Sequence, residues 1–202
     1  MTTQRVACAG AFALLFAVSI AAAQTPGIVR VRGTIESVDG QLLTVKSRDG
    51  ATMMVKLADK APVRAVVKAP LADIKQGSYI AVTAMPQPDG TQKAMAILIF
   101  PEALRGLAEG FSKWDFAPNS TMTNATVDST VSSVDGQTLV VKYKDGEQKI
   151  TVPPTAEIIA FAPATVADVK AGQKILVVAA KKQPDGTLEA PNISIGDYGV
   201  WR

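Results

Sequence analysis

The chain has 202 residues, 48% of them hydrophobic and 19% charged, with 21 Lys and Arg, 18 Asp and Glu, one Cys and no His. The apolar fraction supports packed cores and excludes a disordered chain, while the missing His excludes Ser-His-Asp and Cys-His catalysis and any imidazole-bound zinc. A formal charge of +3 is a small basic excess and not the clustered signature of a nucleic-acid-binding protein.

Residues 1–23 read as a secretory signal. Arg5 supplies the positive start, Val6 to Ala22 is almost wholly apolar or small, and Ala21-Ala22-Ala23 offers an A-x-A cleavage site before Gln24. Cys8 lies near the beginning of the apolar run, not after it where a lipidated cysteine would stand. Cleavage after Ala23 leaves a chain with neither Cys nor His, so disulfides, thiol chemistry and cofactors held by such ligands are not expected. No later stretch has transmembrane length. The expected location is periplasmic or secreted, with no membrane span in the mature chain and no nucleic-acid partner.

The remainder is one unit written twice. Val38-Asp39-Gly40-Gln41 returns as Val134-Asp135-Gly136-Gln137, and Asp49-Gly50 as Asp145-Gly146. Ala72-Asp73-Ile74-Lys75-Gln76-Gly77 returns as Ala167-Asp168-Val169-Lys170-Ala171-Gly172, and Gln87-Pro88-Asp89-Gly90-Thr91 as Gln183-Pro184-Asp185-Gly186-Thr187. Two copies of this length predict tandem domains, not a solenoid: repeat 1 over residues 28–100, an inter-domain segment over 101–126, and repeat 2 over 127–200.

In chain order, each copy reads as three strands, a short helical connection and two further strands. Val29, Val31, Gly33 and Ile35 alternate with Arg30, Arg32, Thr34 and Glu36, the period of a half-buried antiparallel sheet. The small pair Gly33 and Ser129 suits a bulge or sharp bend in the first strand. Leu43 and Val45 match Leu139 and Val141. In the third strands, Met53 to Leu57 and Ile150 to Val152, the inner positions slip by one residue between copies. Pro-containing stretches follow, with Pro62 and Pro70 in one copy and Pro153, Pro154 and Pro163 in the other. A helical turn ended by Gly77 or Gly172 then leads to the last two strands. The repeated Asp-Gly pairs suggest type I′ hairpins, in which both central residues take positive φ. The fold class expected is all-β: two tandem small five-stranded OB-like barrels joined by an aromatic-containing segment, with a small sandwich as the rival.

The run Gly33-Thr34-Ile35-Glu36-Ser37-Val38-Asp39-Gly40, with Leu71-Ala72-Asp73-Ile74-Lys75-Gln76-Gly77 and Pro88-Asp89-Gly90-Thr91, resembles a bacterial family of secreted β-barrel domains of unknown function, often found in tandem. The resemblance spans roughly residues 28–200 and implies an exported OB-like protein without an established activity. Some similar proteins carry the label of metal transporter permease, and this chain lacks the several long apolar spans that a permease requires.

Chemistry has few places to reside. Residues 101–126 carry Phe111, Trp114 and Phe116, more aromatic surface than a flexible linker needs. One reading has this segment packing across both barrels and fixing their angle. The other makes it a binding lip, with Trp114 stacking a ligand and Arg105 or Lys113 holding an anion. Arg30, Arg32 and Lys46, with Arg48, share the outer face of the first two strands, the region OB-folds use for ligands; the plainer account is a solvated face. The candidate ligand-binding residues are therefore Arg105, Lys113, Trp114, Arg30, Arg32 and Lys46. No catalytic set and no metal site is expected, because the Asp-Gly pairs lack calcium-loop spacing and suit turns. Glu102, Glu109 and Asp115 are the acids nearest a plausible groove. These features predict a non-enzymatic binding protein of the bacterial cell envelope, with an envelope protein or an anionic polymer as partner; the alternative is a secreted hydrolase or solute-binding protein using the groove between the barrels.

Overall fold

Fourteen strands carry the fold of the computed structural model, which describes residues 27–133 and 136–196. The reading of residues 1–23 as a signal, and the Val134-Asp135 half of one repeated turn, lie outside the described residues. The first repeat supplies β1 (Ile28–Asp39), β2 (Leu42–Ser47), β3 (Thr52–Leu57), β4 (Val63–Lys68), β5 (Tyr79–Pro86) and β6 (Gln92–Ile99). The connection supplies β7 (Gly110–Lys113). β8 (Thr121–Ser133) starts in the connection and runs into the second repeat, which supplies β9 (Gly136–Tyr143), β10 (Gly146–Val152), β11 (Glu157–Ala164), β12 (Lys174–Lys182), β13 (Leu188–Ala190) and β14 (Ile193–Ile195). Helix among the described residues is limited to single 3-10 turns at Leu71–Asp73, Glu102–Leu104 and Val166–Asp168. The all-β class follows from the alternation in the sequence: Val31, Ile35, Leu43 and Val45 are buried while Lys46 is exposed.

The turns differ in detail from the type I′ expectation. Gly90 has φ +83°, but Asp89 is not among the residues with positive φ. Gly90 N donates to Gln87 O (3.0 Å) and Gln87 N to Thr91 O (2.8 Å), which makes a three-residue loop closed by a left-handed residue. The aspartate acts as an acceptor instead. Asp89 Oδ1 takes Thr91 N at 3.0 Å and Thr91 Oγ1 at 2.7 Å, and Asp185 does the same for Thr187. The slip between the third strands also resolves. β2 and β3 are joined by a loop closed from Ser47 N to Ala51 O, whereas β9 turns into β10 with Tyr143 directly opposite Gly146. The extra residue sits in the turn, and no bulge is needed in either third strand.

Strand pairing departs from the tandem order. β1 pairs β2, β2 pairs β3, β3 runs parallel to β13, β13 pairs β12, and β12 returns to β1. This closed circuit of five strands therefore takes three strands from the first repeat and two from the second. β8, β9, β10, β6 and β5 close in the same order, with β10 parallel to β6 and β5 paired to β8. The boundaries 28–100 and 127–200 describe repeats of sequence, and neither range encloses a closed circuit. The two cores reflect the exchange. One holds Val31, Leu43 and Val55 together with Ile175, Val177 and Ile193; the other holds Ile80, Val82 and Ile97 together with Val127, Leu139 and Ile150.

The crossing is made by β4 and β11, the Pro-bounded stretches to which the sequence reading assigned no strand. Proline and the residue before it favour extended backbone, and Val63, Val66 and Val67 or Ile158, Ile159 and Phe161 add β-favouring side chains. β4 and β11 pair antiparallel with Ala65 opposite Ala162; β11 also lies parallel to β6 of the second circuit, and β4 parallel to β14, which pairs β12 of the first. The helical turns are exchanged as well. Ile74 enters the second core and Gly77 N donates to Val127 O (2.8 Å), while Val169 enters the first core and Gly172 N donates to Ile35 O (2.8 Å). No helix among the described residues is long and apolar enough to cross a membrane.

Candidate functional site

The connection between repeats is an ordered hairpin. After Pro101 a 3-10 turn presents Glu102 to Arg105, whose Nε and Nη2 lie 2.5 and 2.7 Å from the carboxylate oxygens. Arg105 Nη2 also donates to Gly77 O (2.9 Å), so this arginine clasps the connection to the second circuit. The hydroxyl of Tyr79 and the amide of Asn124 both donate to Leu107 O, at 3.1 and 3.2 Å. Burial, with the Glu109 charge second, pushes the Tyr79 hydroxyl up to about 12, so it remains a donor. β7 then pairs with β8, from Gly110 opposite Asn124 to Lys113 opposite Thr121.

Residues 114–120 form the tip of that hairpin. Trp114 N donates to Ser120 O (2.8 Å), and Ser120 Oγ accepts from Ala117 N (3.0 Å). The tip reaches across to the other circuit. The Arg30 guanidinium stacks on the Trp114 ring with its carbon 3.8 Å from the centroid, and that of Arg32 lies at 5.2 Å. Asp115 spans the two cations: Oδ2 is 2.7 Å from Arg30 Nη1 and Oδ1 is 2.8 Å from Arg32 Nη2. Phe116 packs with Val66, Ile159, Phe161 and Leu176 in a third cluster, between the two cores. The tip thus bears on strands of both circuits.

Electrostatics at this corner are uneven. The Arg32 side chain is 6% exposed and that of Asp115 50%. The Nε atoms of Arg30 and Arg32 are buried with no hydrogen-bond acceptor, and the Arg32 Nη2 contact is close but poorly aligned for a hydrogen bond. Burial raises the Asp115 carboxyl, but the Arg32 and Arg30 contacts outweigh it and hold it at about 2. Its pKa is therefore depressed on folding. The associated stability is present above the ordinary carboxylate pKa and is lost as pH falls through about 4 towards 2. With screening at a half-exposed group, the contribution is about 1 kcal/mol. Urea melts of the wild type and Asp115→Asn are expected to differ by that amount at pH 6, by about a third of it at pH 2.5, and to converge only below about pH 2. A gap independent of pH would show that the ion pairs do not carry it.

Of the six candidate residues, Arg30, Arg32 and Trp114 meet at this corner. Arg105 is engaged at the base of the hairpin. Lys113 is exposed at the end of β7, and Lys46 is exposed on β2, opposite Thr34 and Thr52. The sequence reading did not recognise Asp115 as the partner of the two arginines. The candidate acids all have partners: Glu102 holds Arg105, which lowers its pKa, and Glu109 accepts Lys144 N at 3.1 Å. The hollow beside the corner, about 470 Å³ and open to solvent, is bordered by Val29, Arg30, Met53, Met54, Lys182 and Leu188. Among the described residues no three Asp, Glu, Cys or His side chains gather to hold a metal. Comparison with known protein families, curated proteins and solved structures finds no match to this chain.

Proposed function

We propose that this protein is an exported, non-enzymatic binding module of the bacterial cell envelope, built on OB-like five-stranded closures. Its contact site is the corner where Trp114 and Asp115 cross Arg30 and Arg32. The carrying observation is that convergence: two arginines on one strand meet an indole more than eighty residues away, with buried N–H donors left over. Arginine and tryptophan are the side chains that dominate protein recognition sites. The secretory pattern of residues 1–23 and the resemblance to exported β-barrel domains support the compartment. The hydrolase reading asks for a carboxyl with a raised pKa, and Glu102 and Asp115 are both lowered.

The test is a pull-down from envelope extract with residues 24–202, beside Trp114→Ala. A specific partner is expected with the wild type and not with the variant, both melting as folded proteins. A partner retained by a folded Trp114→Ala moves the contact away from this corner. No partner in either lane overturns the interaction reading.

A further inference from the structure

We propose that the Arg30–Arg32 pair is a receptor for a phosphate group, and that Asp115 is the internal carboxylate that fills it until a phosphate-bearing ligand arrives. This rests on the contact site proposed above and names the chemistry that the site takes.

The donor count points to an anion larger than the one present. Asp115 engages one nitrogen of each guanidinium, Nη1 of Arg30 and Nη2 of Arg32. Both Nε–H groups stay buried without an acceptor, a state that costs free energy wherever it persists. A carboxylate has two oxygens, already committed one to each arginine. A tetrahedral phosphate brings further oxygens to the same two forks, and arginine geometry suits bidentate contact with it. Charge agrees: two guanidiniums without Asp115 carry +2, and a phosphate monoester carries close to −2 at neutral pH.

The receptor is built and the occupant is removable. Arg32 is more than nine-tenths buried, on a strand paired along β12, and the Arg30 guanidinium carbon lies 3.8 Å from the Trp114 ring centroid. Both forks are therefore oriented before any ligand arrives. Asp115 belongs to the hairpin tip instead, half-exposed, in the turn between β7 and β8. It can swing away without unpairing any strand. The hollow beside Arg30 adds apolar surface from Val29, Met53 and Met54 for the remainder of the ligand, with Lys182 and Asp185 offsetting each other in charge on its lining. The terminal phosphate of a soluble polyphosphate and the monoester headgroup of phosphatidic acid would present the same group.

The experiment is titration calorimetry of residues 24–202 with tripolyphosphate, and co-sedimentation with vesicles containing phosphatidic acid against phosphatidylcholine vesicles. Asp115 acts as a competitor that leaves the receptor free only part of the time, which weakens apparent affinity by that fraction. Asp115→Asn is expected to tighten phosphate binding about tenfold, corresponding to a receptor free about one tenth of the time. Arg32→Gln is expected to lose binding. Binding to tripolyphosphate alone assigns a soluble polyanion, and binding to phosphatidic-acid vesicles alone assigns a headgroup. If neither binds, or if Asp115→Asn binds no tighter than the wild type, the proposal falls. Asp115→Asn is nearly isosteric, so it decides the matter even where Arg32→Gln melts early. An envelope partner captured equally by wild type and Asp115→Asn, with no phosphate binding, would overturn this inference and leave the contact site standing. Phosphate binding with no captured partner would leave this inference standing and overturn the protein-partner reading.

Discussion

Residues 24–107 produced alone are expected not to fold as a monomer. That piece contains a whole sequence repeat, so a tandem arrangement would predict an independent barrel with a cooperative melt. The pairing predicts the opposite. β1, β2 and β3 need β12 and β13 to close, and β5 and β6 need β8, β9 and β10. Without these partners Val31, Leu43, Val45 and Val55 lose Ile175, Val177 and Ile193, roughly half of their core. Several apolar side chains left in water at about 1.5–3 kcal/mol each exceed the stability of an ordinary small domain. The edges of β1 and β3 would also lie open. The fragment is therefore expected to be unfolded, or to self-associate by pairing each half with the other half of a second copy. Size-exclusion chromatography with light scattering, followed by circular dichroism, separates these outcomes. A folded, concentration-independent monomer would disprove the exchange of strands between repeats.

This exchange marks where the sequence stops being informative. The strand class, the inward positions Val31, Ile35, Leu139 and Val141, and the hairpin sites were legible, because each depends on neighbours a few residues apart. The choice of partner for β5 and β6 was not. The two repeats present similar inward side chains, so the same hairpin can complete either set of first three strands as far as pattern is concerned. What selects the partner is the path of β4 and β11, and their prolines concealed two strands of β-branched and aromatic residues. The site divides the same way. Arg30 and Arg32 were legible as outward residues of one strand, and Trp114 as an aromatic too costly for a linker. Their meeting depends on a hairpin tip crossing between circuits, a long-range event that no spacing encodes. Asp115 was noticed only as an acid, since its meaning comes from two cations on another strand.

Gly33→Ala is expected to be the most damaging single methyl addition in the first circuit. A Cβ built on Gly33 would lie 2.3 Å from Lys46 O, 2.9 Å from Lys46 C and 2.8 Å from Val45 Cγ1. The first two obstacles are backbone, so no rotamer change relieves them. Gly33 pairs with Ile175 of β12 and with Ser47 of β2, and it is where the strand passes from one neighbour to the other. Relief therefore means parting β1 from β2 at the point where buried Val31 and Ile35 flank the bend. Ordinary overpacking costs about 1–3 kcal/mol, and a clash against a fixed carbonyl belongs at or above the top of that range, about 3 kcal/mol or more. Ser129 provides the contrast. The sequence pairs it with Gly33, but in the fold it takes the place of Ser37: β8 slips its register against β9 between Val127 and Ser129 as β1 does against β2 between Ile35 and Ser37, and the residue that pairs Ile80 as Gly33 pairs Ile175 is Ala125. The β1–β2 slip lies beyond Gly33, between Ile35 and Ser37, so the expected bulge falls at Ser37 and Ser129, one in each repeat, while the glycine marks a close approach. Ser129→Ala is expected to change stability by less than about 1 kcal/mol, as for a partly exposed position away from a special constraint. Urea denaturation of both variants settles the comparison: a Gly33→Ala loss no greater than that of Ser129→Ala would mean that β1 does not approach the Lys46 carbonyl.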